Sequence, residues 1–427
     1  MLNSISSTNW YKPLATNKLS RFGSLNIAFN GDIFVMGDSH QHTNNRCRLL
    51  SEIERRAKKE SREKFLVLDC GDYNKGPYSR EAEVNSITKF MINNPNVEFV
   101  MTLGNNEIDL KKDNPEAFLN DMKKLSSSGV RIVSANYQLD HNSDNKYIKP
   151  YTVINKNGKK IFITGLCVIN RSKFHGDQTG DFGDNGEKVV NKVILPGIRK
   201  EKPDSIIILN HNCFGNSIEL KLYLEDKLKK EDVPCKNVDF IVGGHVHRYY
   251  DVPPFYYPVP RCQGMGEFSL KMDPNTYNKI IKDAEYDAKS IEPEDKYKSI
   301  IENDENEKSF NQEIANIKAD LRIPAQKLLS PSPLGTLIAD GFMEKTGADV
   351  GLMLRSFVRG EFPEPGKITR LDLLSTFNLP RQLVTLEMTP AQLRDILNQS
   401  IYRQNLPIED GYFIEHSKNL KITRKVF

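Results

Sequence analysis

Five short apolar runs in this chain each end, within a few residues, on a side chain that can offer nitrogen or oxygen to a metal. That repetition limits the fold more than any bulk property. The run Val238 to His247, VDFIVGGHVH, shows the design: Phe240-Ile241-Val242 is short and partly β-branched, and Gly243-Gly244 closes it, as for a buried strand ending in a tight turn. On an extended backbone, side chains two apart share a side, so His245 and His247 face the same way at the end of the strand. A lone His-x-His is weak, because two nearby histidines are commonly surface residues. The other four runs repeat the pattern: DIFVMGDSH ends on Asp38 and His40, FLVLDCGD on Asp72, VEFVMTLGNNE on Asn105 and SIIILNHN on His211. Ligands of open α/β sheets bind outside the carboxyl ends of the strands, so five such endings can converge on one cleft.

Helical spacing fills the intervals. Cys47 to Lys59 carries Leu49, Leu50, Ile53 and Ala57 at helical positions, which predicts a crossover helix before the strand at Phe65 and hence a βαβ unit. Ser79 to Asn93 and Pro115 to Ser127 predict further helices, feeding strands at Val97 and Arg131. The alternation breaks at Tyr147 to Ile169, where Asn157-Gly158 between two apolar-rich runs signals a hairpin with a primed turn. Residues 171–190 are rich in Gly and Asp without periodicity, which predicts a long loop, and His175 within it reads as a solvated loop histidine.

At 427 residues the chain exceeds the size at which one core stops growing, so two domains are expected. Asn275 to Asp320 holds twelve acidic and seven basic residues with few apolar clusters, the composition of a solvated connector. Beyond Ile323 a compact pattern resumes, with helices over Leu334 to Thr346 and Thr389 to Ser400 and a strand over Ala348 to Leu354. The expected organisation is an N-terminal arm at 1–30, a ligand-bearing domain at 31–272, a charged connector at 273–322 and a short second domain at 323–427. Sixty Lys and Arg against 56 Asp and Glu leave a formal charge of +4, too slight to argue for nucleic acid or an anionic membrane. No run nears the ~20 apolar residues of a membrane helix. Residues 1–30 lack the apolar core of a Sec signal, and the six cysteines are scattered without a CxxC pair. A cytoplasmic protein with free thiols is the expectation, with secretion by a route that leaves no cleaved signal as the alternative.

Asp38, His40, Asp72, Asn105, His211, His245 and His247 make a donor set suited to divalent ions such as Mn, Zn, Co, Fe, Ni or Mg, with no thiolate needed. They exceed what one ion requires. If Asp72 bridges, Asp38, His40 and His247 serve one ion and Asn105, His211 and His245 the other. Two ions about 3.5–4 Å apart lower the pKa of a shared water and clamp both attacking and leaving oxygens of an in-line displacement, which suits phosphate ester hydrolysis. His42 is expected behind the first ligand pair or at the surface, and Cys70 and Cys213, in apolar context, are expected to pack.

In order and spacing, Asp38-x-His40, Gly71-Asp72, Gly104-Asn105-x-Glu107, Asn210-His211 and Gly243-Gly244-His245-x-His247 resemble the calcineurin-like metallophosphoesterases over residues 30–270. Ser134 to Asn136 and the hairpin from Pro150-Tyr151 to Gly165 point to the 5'-nucleotidase branch. Downstream, SPLGTLIADGFMEKTGADVGLM (Ser332 to Met353) and GKITRLDLL with LVTLEMTPAQLRDIL are similar to the C-terminal domain of 5'-nucleotidases, which in that family holds the nucleoside. The resemblance implies a four-layer αββα catalytic sandwich followed by a smaller α+β domain, two divalent ions on the residues above, and a nucleotide or related phosphoester as substrate.

Two departures accompany it. The family's Gly-Asn motif continues with a histidine that protonates the leaving group or steadies the phosphoryl oxygens, supported by an aspartate further on. Here the histidine position is Asn106, while Asp109 is retained. An amide donates a hydrogen bond but delivers no proton, so acid help worth ~10²–10⁴-fold would be missing, least harmfully for good leaving groups. In the second domain the family's Asn-Gly-Gly-Gly-x-Arg loop appears as Leu354-Arg355-Ser356-Phe357-Val358-Arg359, keeping only the arginine. Arg359, and after it Arg355, are the candidates for a phosphate or carboxylate, and Phe357 and Phe377 for stacking on a base. Three functions stand as expectations: a dinuclear nucleotide phosphohydrolase, a metal- or nucleotide-binding regulator with attenuated catalysis, and a related hydrolase of a non-nucleotide phosphate or sulfur ester.

Overall fold

Alternation along the first strand, β1 (Asn26–Met36), sets the layering. Ile33 and Val35 face one side and Phe34 and Met36 the other, and all four are fully buried, so β1 needs apolar cover on both faces. In the computed structural model, which describes residues 26–60, 65–140, 146–168, 186–272, 278–304, 306–310, 312–321, 331–358, 365–376, 382–404 and 413–422, two sheets and two helical layers supply it.

From β1 the chain passes through α1 (Thr43–Glu60), β2 (Leu66–Asp69), α2 (Arg80–Asn93), β3 (Glu98–Thr102), α3 (Asn105–Asp113), α4 (Pro115–Ser127), β4 (Arg131–Val133), α5 (Ala135–Asp140), β5 (Ile148–Lys149), β6 (Tyr151–Lys156) and β7 (Lys159–Cys167). It continues with α6 (Gly186–Val189), a π-helical turn (Val190–Ile194), α7 (Leu195–Glu201), β8 (Ser205–His211), α8 (Phe214–Leu228), β9 (Phe240–Gly243), β10 (Tyr250–Val252), β11 (Phe255–Tyr257), β12 (Gly264–Met272), β13 (Lys279–Asp287) and α9 (Asp295–Glu302). One sheet runs β13-β12-β1-β2-β3-β4-β5, the other β10-β11-β9-β8-β7-β6. Ile33, Val35 and Leu68 of the first meet Ile163, Leu209 and Val242 of the second in a core between the sheets. Phe34, Met36 and Phe99, one residue out of phase, meet Leu50, Ile87 and Met122 of the first helical layer. Val190, Ile198 and Leu224 close the far face of the second sheet. The layers are helix, sheet, sheet and helix, as the resemblance implies. Each buried Leu, Ile or Phe contributes roughly 1.5–3 kcal/mol over exposure, which holds the register and so fixes where each strand stops.

Local rules account for the joints. Ser79 caps α2 by accepting the Ala82 N–H at 3.0 Å, and Asn157 and Gly158, with φ of 50° and 73°, make the primed turn between β6 and β7.

Three expected boundaries change. Because β1 begins at Asn26, residues 26–30 belong to the sheet and not to an arm, while 1–25 lie outside the described residues. The charged connector dissolves: β13 pairs antiparallel with β12 from Gly264↔Asp287 to Lys271↔Lys279, and α9 joins α1 through Tyr297 Oη, which donates to Glu54 Oε2 at 3.0 Å. An edge strand tolerates charge at alternate positions, and in β13 exposed and half-buried residues do alternate. Of the loop at 171–190, residues 171–185, His175 among them, lie outside the described residues, and the chain from Gly186 is helical.

The second unit contains α10 (Glu307–Phe310), β14 (Glu313–Ile317), α11 (Pro333–Thr346), β15 (Leu352–Leu354), β16 (Gly366–Thr369), α12 (Arg370–Thr376), α13 (Pro390–Gln404) and β17 (Ile414–His416). β14 pairs with β16 and β15 with β17, so the end of the supposed connector is a strand of this unit. β15 is shorter than the expected strand at 348–354: at Gly351 the carbonyl still accepts the Ser417 N–H at 3.0 Å, but the Gly351 N–H turns to Ser417 Oγ at 3.0 Å. Among the described residues no helix is long and apolar enough to cross a membrane.

Candidate metal centre

The strand ends bring the seven expected donors to one rim. Beyond β1 and β2 the loops stay paired: Asp38 N–H donates to the Gly71 carbonyl at 2.9 Å, His40 N–H to the Asp72 carbonyl at 2.9 Å and Gln41 N–H to the Tyr73 carbonyl at 3.1 Å. Five of the seven, Asp38, His40, Asp72, His245 and His247, have left-handed backbones, with φ between 46° and 75°. Such residues cost of order 1–3 kcal/mol each and persist only where their surroundings over-determine them, as ligand sites do. Gly104 allows a close approach, since a Cβ there would lie 2.0 Å from Asp72 Oδ1.

Two compact groups result. Ligand atoms of Asp38, His40, Asp72 and His247 all lie within 4.8 Å of one another, and so do those of Asp72, His211 and His245. Asp72 belongs to both. Asn105 joins the second group through Oδ1, 2.6 Å from His245 Nδ1. His211 Nδ1 donates to the Cys70 carbonyl at 2.7 Å, and Nε2 faces Asp72 Oδ2 3.2 Å away, as a donor while the ring is protonated and as a lone pair once a cation takes that proton's place. His40 Nε2 and His247 Nε2 stand 2.9 Å apart, close enough for one ring to donate to the other or for both lone pairs to face one cation. Carboxylates, imidazoles and an amide oxygen so placed fit divalent cations.

Electrostatics agree with that fit. Burial pushes the Asp38 carboxyl up to about 7 against the pull of His211. At Asp72 burial acts the same way but is outweighed by His211 and His40, which hold the carboxyl well below its usual range. His211 is pushed up to about 10, since Asp72 and Asp38 more than offset the cost of burying its charge. The rim draws positive charge.

Asn106 is built into this centre. Its backbone N–H donates to Asp72 Oδ1 at 2.8 Å, its amide nitrogen donates to Asp72 Oδ2 at 3.0 Å, and its Oδ1 accepts from Asn105 Nδ2 at 3.1 Å. Asp109 is paired with Lys75 at 2.8 Å. His42 is buried and not at the surface, and its Nε2 has no hydrogen-bond partner among the described residues. Cys70 is buried, which pushes its thiol well above the usual range, and all six cysteines are free thiols.

Some supports had no role in the sequence reading, where Glu107 stands only as a member of the Gly104-Asn105-x-Glu107 motif. Glu107 accepts the N–H groups of Gly104, Asp72 and Asn74 at 2.7, 2.9 and 3.1 Å, which ties two ligand loops together. Glu83 and Arg46 lie buried behind the first loop. Glu83 shares the buried face of α2 with Ile87 and Phe90, and a carboxylate inside an apolar helical stripe was the available signal.

Of the candidate substrate residues of the second unit, Arg355 and Phe357 lie among the described residues. Arg355 is not poised for a ligand: its guanidinium is buried, donates from Nε to Glu415 Oε1 at 2.6 Å and lies 4.3 Å over the Phe413 ring. A buried guanidinium keeps its charge and takes a carboxylate from its own core. Phe357 is half-buried in the turn after β15, and Arg359 and Phe377 lie outside the described residues.

A sequence profile of calcineurin-like phosphoesterases matches residues 31–249, half of the chain. The chain belongs to that family. In this calcineurin-like phosphoesterase a second profile, that of the 5'-nucleotidase C-terminal domain, matches residues 313–424. The phosphoesterase is 31% identical over 189 residues to a 5'-nucleotidase of Vibrio cholerae, covering 42% of this chain and 32% of that protein. It is 24% identical over 411 residues to a 5'-nucleotidase of Vibrio parahaemolyticus, covering 82% and 69%. Its fold is similar to the crystal structure of a 5'-nucleotidase precursor from Thermus thermophilus, with a TM-score of 0.63 at 18% identity over 90% of this chain and 80% of that one. The chain spans about a third of the length of most curated relatives it matches, between 28% and 36% for five of them.

Proposed function

We propose that this phosphoesterase hydrolyses a phosphoester, a nucleotide before other classes, at two divalent cations that share Asp72. The observation that carries the reading is the double membership of Asp72 in both compact donor groups. Asp38, His40 and His247 would hold one ion and Asn105, His211 and His245 the other, with Mn, Zn, Co, Fe, Ni and Mg all within the range of such donors. When bound, the pair lowers the pKa of a water and offsets charge on the phosphoryl oxygens.

The chain's own residues shape the rest. The Cys70 carbonyl keeps His211 in one tautomer, and Asn106 orients the shared carboxylate through two N–H bonds. Its amide offers a hydrogen bond but no proton. Asp109 has no imidazole at 106 to support and pairs with Lys75. Groups that depart as weak bases, such as aryl phosphates and phosphoanhydrides, suit this arrangement better than a ribose 5'-alkoxide. The nucleotide preference rests on the 5'-nucleotidase relatives and the second profile. Asn106 also favours a second reading, a metal- or nucleotide-binding protein with attenuated turnover.

One assay separates them. Protein stripped of metal and reloaded with Mn²⁺, Co²⁺ or Zn²⁺ is offered AMP, ADP and p-nitrophenyl phosphate. Turnover lost on chelation and restored by metal supports the hydrolase, and p-nitrophenyl phosphate running ahead of AMP supports the leaving-group argument. Two bound equivalents without turnover on any ester favour the binding protein. Protein that takes up no metal excludes the hydrolase and leaves only the nucleotide-binding form of the second reading.

A further inference from the structure

Three residues in four, Asp38, His40 and Gln41, with φ of 47°, 46° and 53°, carry the chain out of β1 in the left-handed region. Without restraint such a loop relaxes toward negative φ, and the Asp38 and His40 side chains leave the rim with it. Backbone bonds to the β2 loop restrain one side. The other side meets a buried cluster that the proposed reaction does not use. Ser39, fully buried between the two candidate ligands, donates its hydroxyl to Glu83 Oε1. Thr43, the first residue of α1, donates to Glu83 Oε2 at 2.7 Å. Arg46 donates from Nε to Glu83 Oε1 and from Nη1 to Asp69 Oδ2, both at 2.5 Å, with no exposure at any of the three side chains. Asp69 Oδ1 accepts the Gly71 N–H at 2.9 Å, one residue before Asp72.

Burying three charges is expensive, and apolar side chains of equal volume between α1 and α2 would be at least as stable. What apolar groups cannot do is hold hydroxyls. Both oxygens of Glu83 end on the segment 39–43, and the far oxygen of Asp69 ends beside the next ligand. The opposite side of the centre has its own supports, the Cys70 carbonyl on His211 and Glu107 on Gly104. We infer that Glu83, braced by Arg46, is a positioning residue that clamps the 37–43 loop through the Ser39 and Thr43 hydroxyls. It sets Asp38 and His40 as ligands and reaches the Asn105, His211 and His245 side only at second hand, through the Asp38 oxygens that accept the His245 N–H at 3.0 Å. The inference rests on the proposed metal centre.

Ser39→Ala and Thr43→Val each remove one hydroxyl and keep the buried charges. Ser51→Ala is the structural control: it removes another fully buried α1 hydroxyl, bonded to the Cys47 carbonyl and the Glu294 N–H. Metal-free samples are titrated calorimetrically with Mn²⁺, and their thermal unfolding is recorded alongside. Wild type is expected to take two equivalents. Ser39→Ala weakens one of them by ~10–100-fold, the usual cost of losing a partner behind a ligand, and the other by much less. Thr43→Val acts on the same equivalent more weakly, and Ser51→Ala lowers the unfolding temperature with both unchanged. Both equivalents kept at wild-type affinity, or both weakened in parallel, overturns the inference. If Ser39→Ala does not fold, Thr43→Val decides by the same criteria. Wild type that binds no Mn²⁺ removes the metal centre and the inference with it, a failure distinct from the others.

Discussion

In the first unit Arg46 pairs with Glu83, and in the second Arg355 pairs with Glu415; both pairs are nearly excluded from water, and both glutamates also accept a serine hydroxyl. The difference lies in where the serine stands. Ser39 separates two candidate ligands, whereas Ser332 caps α11, its Oγ accepting the Gly335 N–H at 2.9 Å while Glu415 Oε2 accepts the Ser332 N–H at 2.7 Å. Surroundings differ too. The first pair lies beside an extensive apolar cluster, whereas among the described residues the second unit's cluster has two buried members, Leu334 and Ile368. The same chemistry tunes a reactive rim in one place and holds a thin core together in the other, so a buried ion pair shows its purpose only through what its hydroxyls hold.

Removing the shared ligand should break the comparison most severely. Asp72→Ala is expected to lower p-nitrophenyl phosphate turnover by ~10³-fold or more, the loss of several kcal/mol of transition-state stabilisation, with both Mn²⁺ equivalents weakened. Chemical unfolding of the second unit should not move. An Asp72→Ala protein that keeps one equivalent at full affinity would show that the two donor groups do not share this carboxylate. Next comes Asn106→His, which restores an acid beside Asp72 and should raise AMP hydrolysis by ~10²–10⁴-fold, with a much smaller gain on p-nitrophenyl phosphate. Equal gains on the two esters, measured as kcat, would contradict a missing proton donor. In the second unit, Glu415→Ala strands the Arg355 charge and should cost about 3–5 kcal/mol in urea unfolding, while Mn²⁺ binding stays as in wild type.

The strand ends were legible because a short β-branched run closed by glycine and followed by donors has one natural placement in an α/β sheet. Helix limits were legible where caps mark them, as at Ser79 and Pro115. β13 was hidden, since charge on its exposed alternate positions masked a period of two inside an acidic stretch. Glu83 was hidden because its meaning depends on Ser39, 44 residues away, and on a burial that composition does not report. Arg355 misled for a related reason: a linear motif cannot distinguish a guanidinium aimed at a ligand from one aimed at Glu415, 60 residues further on. The left-handed backbones of Asp38 and His40 also left no trace, because Asp and His, though enriched in that region, still adopt it in a small minority of positions.

The smallest expected effect makes the sharpest cut between the two pairs. Ser332→Ala removes the bond to Gly335 and the hydroxyl to Glu415 but keeps the Arg355–Glu415 pair and the Ser332 N–H bond to Glu415. Loss of a helix cap costs about 1 kcal/mol, so the urea midpoint for the second unit should fall slightly, with both Mn²⁺ affinities at their wild-type values. Ser39→Ala deletes the same kind of hydroxyl-to-glutamate bond, yet its effect should fall on one metal equivalent, because Ser39 stands between ligands and Ser332 stands at a helix start. If Ser332→Ala also weakened Mn²⁺ binding, the second pair would be coupled to the rim. The position of the hydroxyl would then no longer explain what each pair is for.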